Sequence, residues 1–510
     1  MACGLTSLLA ALDRARARPV LIEASGEAVT GGDLLRRSAN IACALERRGP
    51  KGSRALVPAW PTAETVAALV GAMRAGWIAV PLGLRYRARE ILHVVRDCRP
   101  AATVGPPHPA WPEVVAAEPA APAPLEPAED RTKAPVDPQD PATPCLVVYT
   151  SGTTGRSKGA VHTQRSVFGA MGVLARAWGF GPDDVLAHTL PLHHVHGLCI
   201  GIFATLASGV TVRLAERFDP AAVVAAFEAG ATLYCGVPTQ YVRLLEHLEA
   251  HPDAARVLAR ARLFTSGSAA LPVRVFEAFE NRTGHRILER YGMTETMITL
   301  SNPLDGPRVP GTVGYPLPGF EIRVEPSTDP EMAGAGELLV RGLGLFAEYY
   351  GAPEATADAF TGDGFFRTGD LVRRDPDGRV RIVGRISADI IKTGGFKVAA
   401  PEIEAVLLDD PRVAEAAVFG VPDDAYGEAI AAAVVLRPDA FGLEGIGDAL
   451  VARCAEQLAG YKKPRHLLVL DGLPRNAMGK VQKHVLRDLV ARGAPAEGTS
   501  DDTQASRAGR

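Results

Sequence analysis

No Cys-x-x-Cys pair occurs among the seven cysteines, Cys3, Cys43, Cys98, Cys145, Cys199, Cys235 and Cys454. Their scatter and odd number give neither a disulfide framework nor zinc-ligand spacing, so reduced thiols in the cytoplasm are expected. Long apolar runs are missing as well. The candidate "LCIGIFATLASGVTV" is short and broken by glycines, whereas a spanning helix needs about 20 apolar residues. The leading "MACGLTSLLAALDRARARP" has neither the basic start nor the apolar core of a secretory signal. A formal charge of -3 supplies no general attraction to nucleic acid or to a membrane surface. No internal repeat is present.

What remains is a chain of 510 residues, too long for one core, with 47% hydrophobic and 22% charged residues, as in ordinary globular proteins. Helix-like segments such as "TGGDLLRRSANIACALERRG" alternate with short apolar ones such as "RALVPA" and "GWIAVPL". The fold class expected is α/β: a large N-terminal α/β domain of several subdomains over residues 1–384. The Pro- and Ala-rich stretch 100–144 reads either as a surface connection within that domain or as an interdomain linker. After "GRVRIVGR" the character changes. "APEIEAVLLDD" puts Pro401 in a first helical turn and Ile403, Val406 and Leu407 on one face, and the strand-like "AEAAVFGV" and "AIAAAVVL" follow. A small, mobile α+β domain over 385–493 and a disordered tail over 494–510 complete the expectation.

Four separated segments carry chemistry. "YTSGTTGRSKG" offers glycines, hydroxyls, Arg156 and Lys158, which suits a polyphosphate. It is not a Walker loop, because Lys158 leads into the strand-like "GAVH" and the loop becomes a hairpin flap. Taken alone it is equally a flexible surface hairpin. "ERYGMTET" combines an aromatic ring, hydroxyls and Glu295, a set that suits phosphate with magnesium, or else a strand end and a polar turn. In "DGFFRTGDLVRRDPDGRVRIVGR", Asp370 can accept from a ribose diol and Arg385 can add a grip, while Asp375, Asp377 and Gly378 make a turn. In "LPRNAMGKVQK", Lys480 follows Gly479 in a short polar loop.

These segments, in this order across some 330 residues, resemble the adenylate-forming superfamily of acyl-CoA synthetases, luciferases and adenylation domains. The stretches "ERYGMTETMITLSNPLDGPRVPGTVGYPLPG" and "TSGSAALP" are most similar to the malonyl-CoA synthetases. The resemblance implies ATP, Mg²⁺ and coenzyme A. It places Thr150, Ser151, Gly152, Thr153, Thr154, Gly155 and Lys158 on the phosphates, and Thr294 and Glu295 on phosphate and Mg²⁺. Ser268, Arg290, Tyr291, Gly292 and Met293 join the ATP site, Asp370 and Arg385 take the ribose, and Lys480 serves the carboxylate–phosphate junction. Gly394 and Gly395 in "KTGGFK" fall to coenzyme A. Many relatives carry Asp or Lys at the hinge where this chain has Ser387.

"HTLPLHHVHG" clusters His188, His193, His194 and His196, either a metal site without Cys or carboxylate or, as the resemblance implies for His194, a wall of the acyl pocket. Arg243, on an expected helix, is either a solvated helix residue or the partner of a second substrate carboxylate; the resemblance points to the latter, with Ser266 beside it. The expected activity is ATP-dependent ligation of malonate, or a C2-substituted relative, to coenzyme A. A short- or medium-chain fatty acid or aryl acid ligase, an adenylation enzyme loading a carrier protein, and an inactive nucleotide-binding regulator are the alternatives. A cytoplasmic monomer or weak homodimer is expected.

Overall fold

A computed structural model describes residues 4–118, 121–125, 140–150, 157–327, 332–386, 389–393, 396–423, 426–440, 443, 445–476 and 480–492. The chain forms two compact units. The first comprises Met1–Arg323, Leu339–Thr368 and Asp375–Arg381; the second comprises Val324–Leu338, Gly369–Arg374 and the chain from Ile382. The single cut expected after residue 384 lies close to the last of these boundaries. The earlier ones fall in or at the end of the strands Phe320–Pro326, Ala335–Gly342 and Phe366–Arg374. Composition does not change within a strand, so these boundaries leave no mark on the sequence.

The larger unit holds two sheets. In one, the order is Glu348–Tyr349, Gly159–Thr163, Pro144–Tyr149, Ile78–Leu82, Arg54–Pro58 and Ala102–Thr103. Arg54–Pro58 and Ile78–Leu82 pair in parallel and are buried almost throughout, which is why they read as continuous apolar runs. Helix Gly31–Arg48 begins with a capping box: Thr30 Oγ1 accepts from the Asp33 N–H at 3.1 Å, and Asp33 Oδ2 accepts from the Thr30 N–H at 3.2 Å. The stretch after Pro100 is not a linker between the units. Ala102–Thr103 joins this sheet, and helix Trp111–Ala117 buries Trp111 and Val114 in its core.

The other sheet has nine strands, among them Val185–His188, Leu233–Gly236, Leu263–Ser266 and Leu288–Met293, adjacent and parallel. The register brings Gly236 and Ser266, the carboxyl ends of their strands, level with Glu289, with Arg290 next along, on the side where open α/β sheets bind ligands. The buried π-helical stretch His196–Ala204 crosses close by. Gly201 is required there, because a Cβ would lie 2.3 Å from the His188 ring.

In the smaller unit, helix Ala400–Leu408 has Pro401 in its first turn and buries Ile403, Val406 and Leu407, as the spacing predicts. Strands Val413–Asp423 and Gly427–Leu436 form a long antiparallel pair, and His466–Val469 runs parallel to the second. Among the described residues no helix is long and apolar enough to cross a membrane. The expected tail, 494–510, lies outside the described residues.

Candidate active site

The flap stands on an antiparallel pair, Pro144–Tyr149 against Gly159–Thr163, whose last rung is Tyr149 opposite Gly159. Beyond it the Thr150 N–H donates to the Lys158 carbonyl at 2.9 Å. Ser151, Gly152, Thr153, Thr154 and Gly155 lie outside the described residues, whereas Thr150, Ser157 and Lys158 mark the two roots of the loop.

Lys158 connects the flap to the "MTET" turn through a tyrosine. Its ammonium lies 4.9 Å from the centroid of the Tyr349 ring, and the Tyr349 hydroxyl donates to Glu295 Oε1 at 2.9 Å. Tyr349 reaches this position because strand Glu348–Tyr349 pairs with the flap strand, opposite Ala160. A second tie runs from His162, whose Nε2–H donates to the Thr294 carbonyl at 2.8 Å. Burial pulls the His162 imidazole down to about 4, so it stays neutral and keeps a fixed tautomer. Gly292 is demanded by the turn itself, because a Cβ would sit 1.9 Å from the Met297 carbonyl oxygen. Sequence reasoning missed Tyr349 and His162; each acts through a register or a fold contact that no local pattern encodes.

Glu295 is buried, with the Thr294 side chain partly exposed next to it. One carboxylate and a neighbouring hydroxyl fit a hard cation that takes its other oxygens from a phosphate chain. Among the described residues no group of three His, Cys, Asp or Glu could hold a metal ion by itself. His188, His193, His194 and His196 instead line a buried wall. Burial lowers all four, His188 and His194 to about 4, so they carry no charge near neutral pH. His193 and His194 pack with ring centroids 4.0 Å apart, and a hydrogen bond of 3.1 Å joins His196 Nδ1 to Ser268 Oγ. Ser268 holds a left-handed backbone, φ 69°, uncommon for a residue with a side chain and frequent at functional sites.

Arg290 is a buried cation of this region. It is 4% exposed, and its Nε and Nη2 are buried with no hydrogen-bond partner among the described residues. Burial pulls the guanidinium down to about 10, which leaves it charged. Ser266 Oγ, also buried, lacks a partner among the described residues too. Arg243, by contrast, is exposed on helix Pro238–Ala250, its guanidinium 5.1 Å from the centroid of the Phe218 ring. The structure thus puts Arg243, expected to face the acyl pocket, at the surface, and Arg290, expected at the ATP site, in the interior. Helical position gave no sign of this, because Arg290 is buried by the pairing of its strand with neighbours on both sides, among them Ser301 directly opposite it.

In the smaller unit, Asp370, 5% exposed, is paired with Arg385 through two contacts, Nε to Oδ1 and Nη2 to Oδ2, each 3.0 Å. The Arg385 N–H donates to Asp389 Oδ2 at 3.0 Å, and Lys483 spans Asp389 at 2.6 Å and Glu404 at 2.9 Å. Lys480 is exposed, yet its pKa is below the usual lysine value, first through desolvation and then through Arg385, with Asp389 and Asp370 opposing. The structure therefore brings Lys480, Asp370 and Arg385 into one electrostatic cluster. Ser387, Gly394 and Gly395 lie outside the described residues.

The flap roots and buried carboxylate of the larger unit, and separately the Asp–Arg pair with its nearby lysine in the smaller one, suit an enzyme that uses a nucleotide. The chain belongs to the AMP-binding enzyme family: the family's model matches residues 9–350, and that of its C-terminal domain matches residues 402–480. It is similar to the malonate–CoA ligase of Arabidopsis thaliana, 40% identical over 474 residues, 86% of this chain and 78% of the relative. Among solved structures it is similar to ATP-bound MatB from Rhodopseudomonas palustris (TM-score 0.86, 35% identity, 95% of this chain and 98% of that one). It is also similar to a malonyl-CoA ligase with methylmalonyl-CoA and AMP bound, at TM-score 0.68 and 43% identity over 90% of this chain and 97% of that one.

Proposed function

We propose that this enzyme joins malonate, or a C2-substituted malonate such as methylmalonate, to coenzyme A through an acyl-AMP intermediate. The observation that carries this reading is Arg290, whose buried Nε and Nη2 have no hydrogen-bond partner among the described residues, beside a wall of neutral histidines and the likewise unpartnered Ser266 Oγ. A buried unpaired charge is costly unless a ligand supplies the counter-charge. A monocarboxylic acid spends its only charge at the reacting end; a dicarboxylate keeps a second one for Arg290. The names of the relatives support the same substrate class.

In the first half-reaction a carboxylate oxygen attacks the α-phosphorus, the bond to the bridging oxygen breaks, and pyrophosphate leaves. Lys158 and the flap donors neutralise the β- and γ-phosphates, and Lys480 stabilises charge developing at the carboxylate–phosphate junction. Mg²⁺, held through Glu295 and Thr294, would supply further charge neutralisation on the phosphates. Asp370 and Arg385 hold the ribose. In the second half-reaction the thiolate of coenzyme A attacks the acyl carbon and AMP departs with the C–O bond electrons. No protein nucleophile takes part; the work is positioning and exclusion of water. The described cysteines are free and buried, in keeping with a reducing compartment such as the cytoplasm.

The test is AMP release dependent on coenzyme A, measured across malonate, methylmalonate, sulfoacetate, butyrate and benzoate. Preference for doubly charged acids supports the reading. Preference for butyrate or benzoate overturns it, and acid-dependent pyrophosphate exchange without coenzyme A turnover would point to a carrier-protein acceptor.

A further inference from the structure

We propose that His93 and Asp97 are positioning residues that hold both roots of the phosphate flap on one helix; the inference rests on the ATP-dependent adenylation proposed above. Helix Ala88–Cys98 buries Ile91, Val94, Val95 and Cys98 in the core of the six-stranded sheet. His93 and Asp97, one turn apart, share another face and are only partly buried. From that face His93 Nε2–H donates to the carbonyl of Ser157 at 2.7 Å. One turn later Asp97 Oδ2 accepts from the hydroxyl of Tyr149 at 2.6 Å. The rings of His93 and Tyr149 meet edge to face, centroids 6.1 Å apart.

Tyr149 and Ser157 stand at opposite roots of the loop. The ladder of the hairpin ends at Tyr149 and Gly159, so the Ser157 carbonyl lies past the last rung. Such a group is ordinarily left to water. Here it is tied to a helix anchored in the sheet core, and the Ser157 hydroxyl closes the ring by donating to the Thr150 carbonyl. The strand ladder fixes the hairpin's register but leaves a pivot about its base; two anchors one helical turn apart remove it. Lys158, next to Ser157, then keeps its direction toward Tyr349 and Glu295. Preset donors of this kind act by orientation, and small misplacements are expensive in rate.

The experiment compares full-length wild type with His93→Ala, His93→Gln and Tyr149→Phe, the last removing only the hydroxyl that Asp97 accepts. Acid-dependent ATP–pyrophosphate exchange at varied ATP, thioester formation from supplied acyl-AMP, and tryptic cleavage after Lys158 are measured. The expected result for His93→Ala is a rise of about tenfold in KM for ATP, unchanged thioester formation, and faster cleavage after Lys158. His93→Gln, whose amide keeps a donor, should recover most of the loss, and Tyr149→Phe should raise KM for ATP severalfold. An unchanged KM for ATP in both His93→Ala and Tyr149→Phe overturns the proposal, and so does equal loss in both half-reactions. Should His93→Ala fail to fold, Tyr149→Phe decides. If wild type shows no acid-dependent exchange, the proposed function fails instead, and the cleavage rates alone then decide whether His93 and Asp97 hold the flap.

Discussion

The guanidinium of Arg290 fills the space that a side chain at Gly267 would need: a Cβ there would lie 2.4 Å from Arg290 Cζ. The glycine and the buried cation are therefore one structural device, and the two substitutions test it from opposite sides.

Arg290→Leu should lower kcat/KM for malonate by about 2–5 kcal/mol equivalent, the usual cost of stripping one partner from a buried charge pair. Butyrate turnover should hold or improve, because no unpaired cation remains. Gly267→Ala should displace the guanidinium and lose malonate selectivity in the same direction. Arg243→Leu, altering an exposed residue stacked on Phe218, should change malonate kcat/KM by less than about threefold. Steady-state kinetics with both acids decide; a larger loss in Arg243→Leu than in Arg290→Leu restores the assignment made from sequence.

Glu295 receives a hydrogen bond from Tyr349, whose ring also carries Lys158. Glu295→Gln removes the only negative charge in the "MTET" turn and should slow adenylation by on the order of 10²-fold. Tyr349→Phe keeps the ring and should have a milder effect, a rise of severalfold in KM for MgATP. Pyrophosphate exchange at varied Mg²⁺ checks both; an unaltered Mg²⁺ dependence in Glu295→Gln would remove the metal role.

Lys480 serves adenylation alone if its charge is needed only where the carboxylate meets the α-phosphorus. Lys480→Ala should cost on the order of 10² or more in the first half-reaction while conversion of supplied malonyl-AMP to malonyl-CoA persists. Equal losses, with an unchanged melting temperature, would contradict that role.

Glu289 gives a stability prediction with a definite sign. It is 5% exposed and accepts from the Gly311 N–H at 3.0 Å, and burial pushes its carboxyl up to about 8 from an ordinary value of 4.5. Between those values the folded chain holds a proton that the unfolded chain has released, so stability falls as pH rises through that window. Glu289→Gln, neutral at every pH and still able to accept from Gly311, should flatten the decline and melt higher than wild type at pH 9. Calorimetry across pH checks this; an equal decline in both proteins would show that Glu289 is ionised in the native state.

Local pattern carried much of the fold. Pro401 and the 403, 406, 407 spacing located a helix and its buried face, the apolar runs at 54–58 and 78–82 located buried strands, and Asp377–Gly378 located a turn. Each of these is decided within a few residues by backbone sterics and side-chain period. Lys158, Glu295, Asp370, Arg385 and Lys480 stand in motifs that the chain shares with the adenylate-forming enzymes, and their roles belong to the proposed mechanism.

What only the tertiary structure decided is burial and partnership. Arg243 and Arg290 are equally basic in the sequence, yet one lies at the surface over Phe218 and the other is buried, its Nε and Nη2 without a hydrogen-bond partner among the described residues. Tyr349 meets Glu295 across 54 residues, and His93 meets Ser157 across 64. The free energy of a charge or a hydrogen bond depends on dielectric and on what stands opposite, and both are set by the pairing of strands remote in the chain. The sequence by itself determined which chemical groups were at hand; the register of those strands decided which of them would be buried and what each would face.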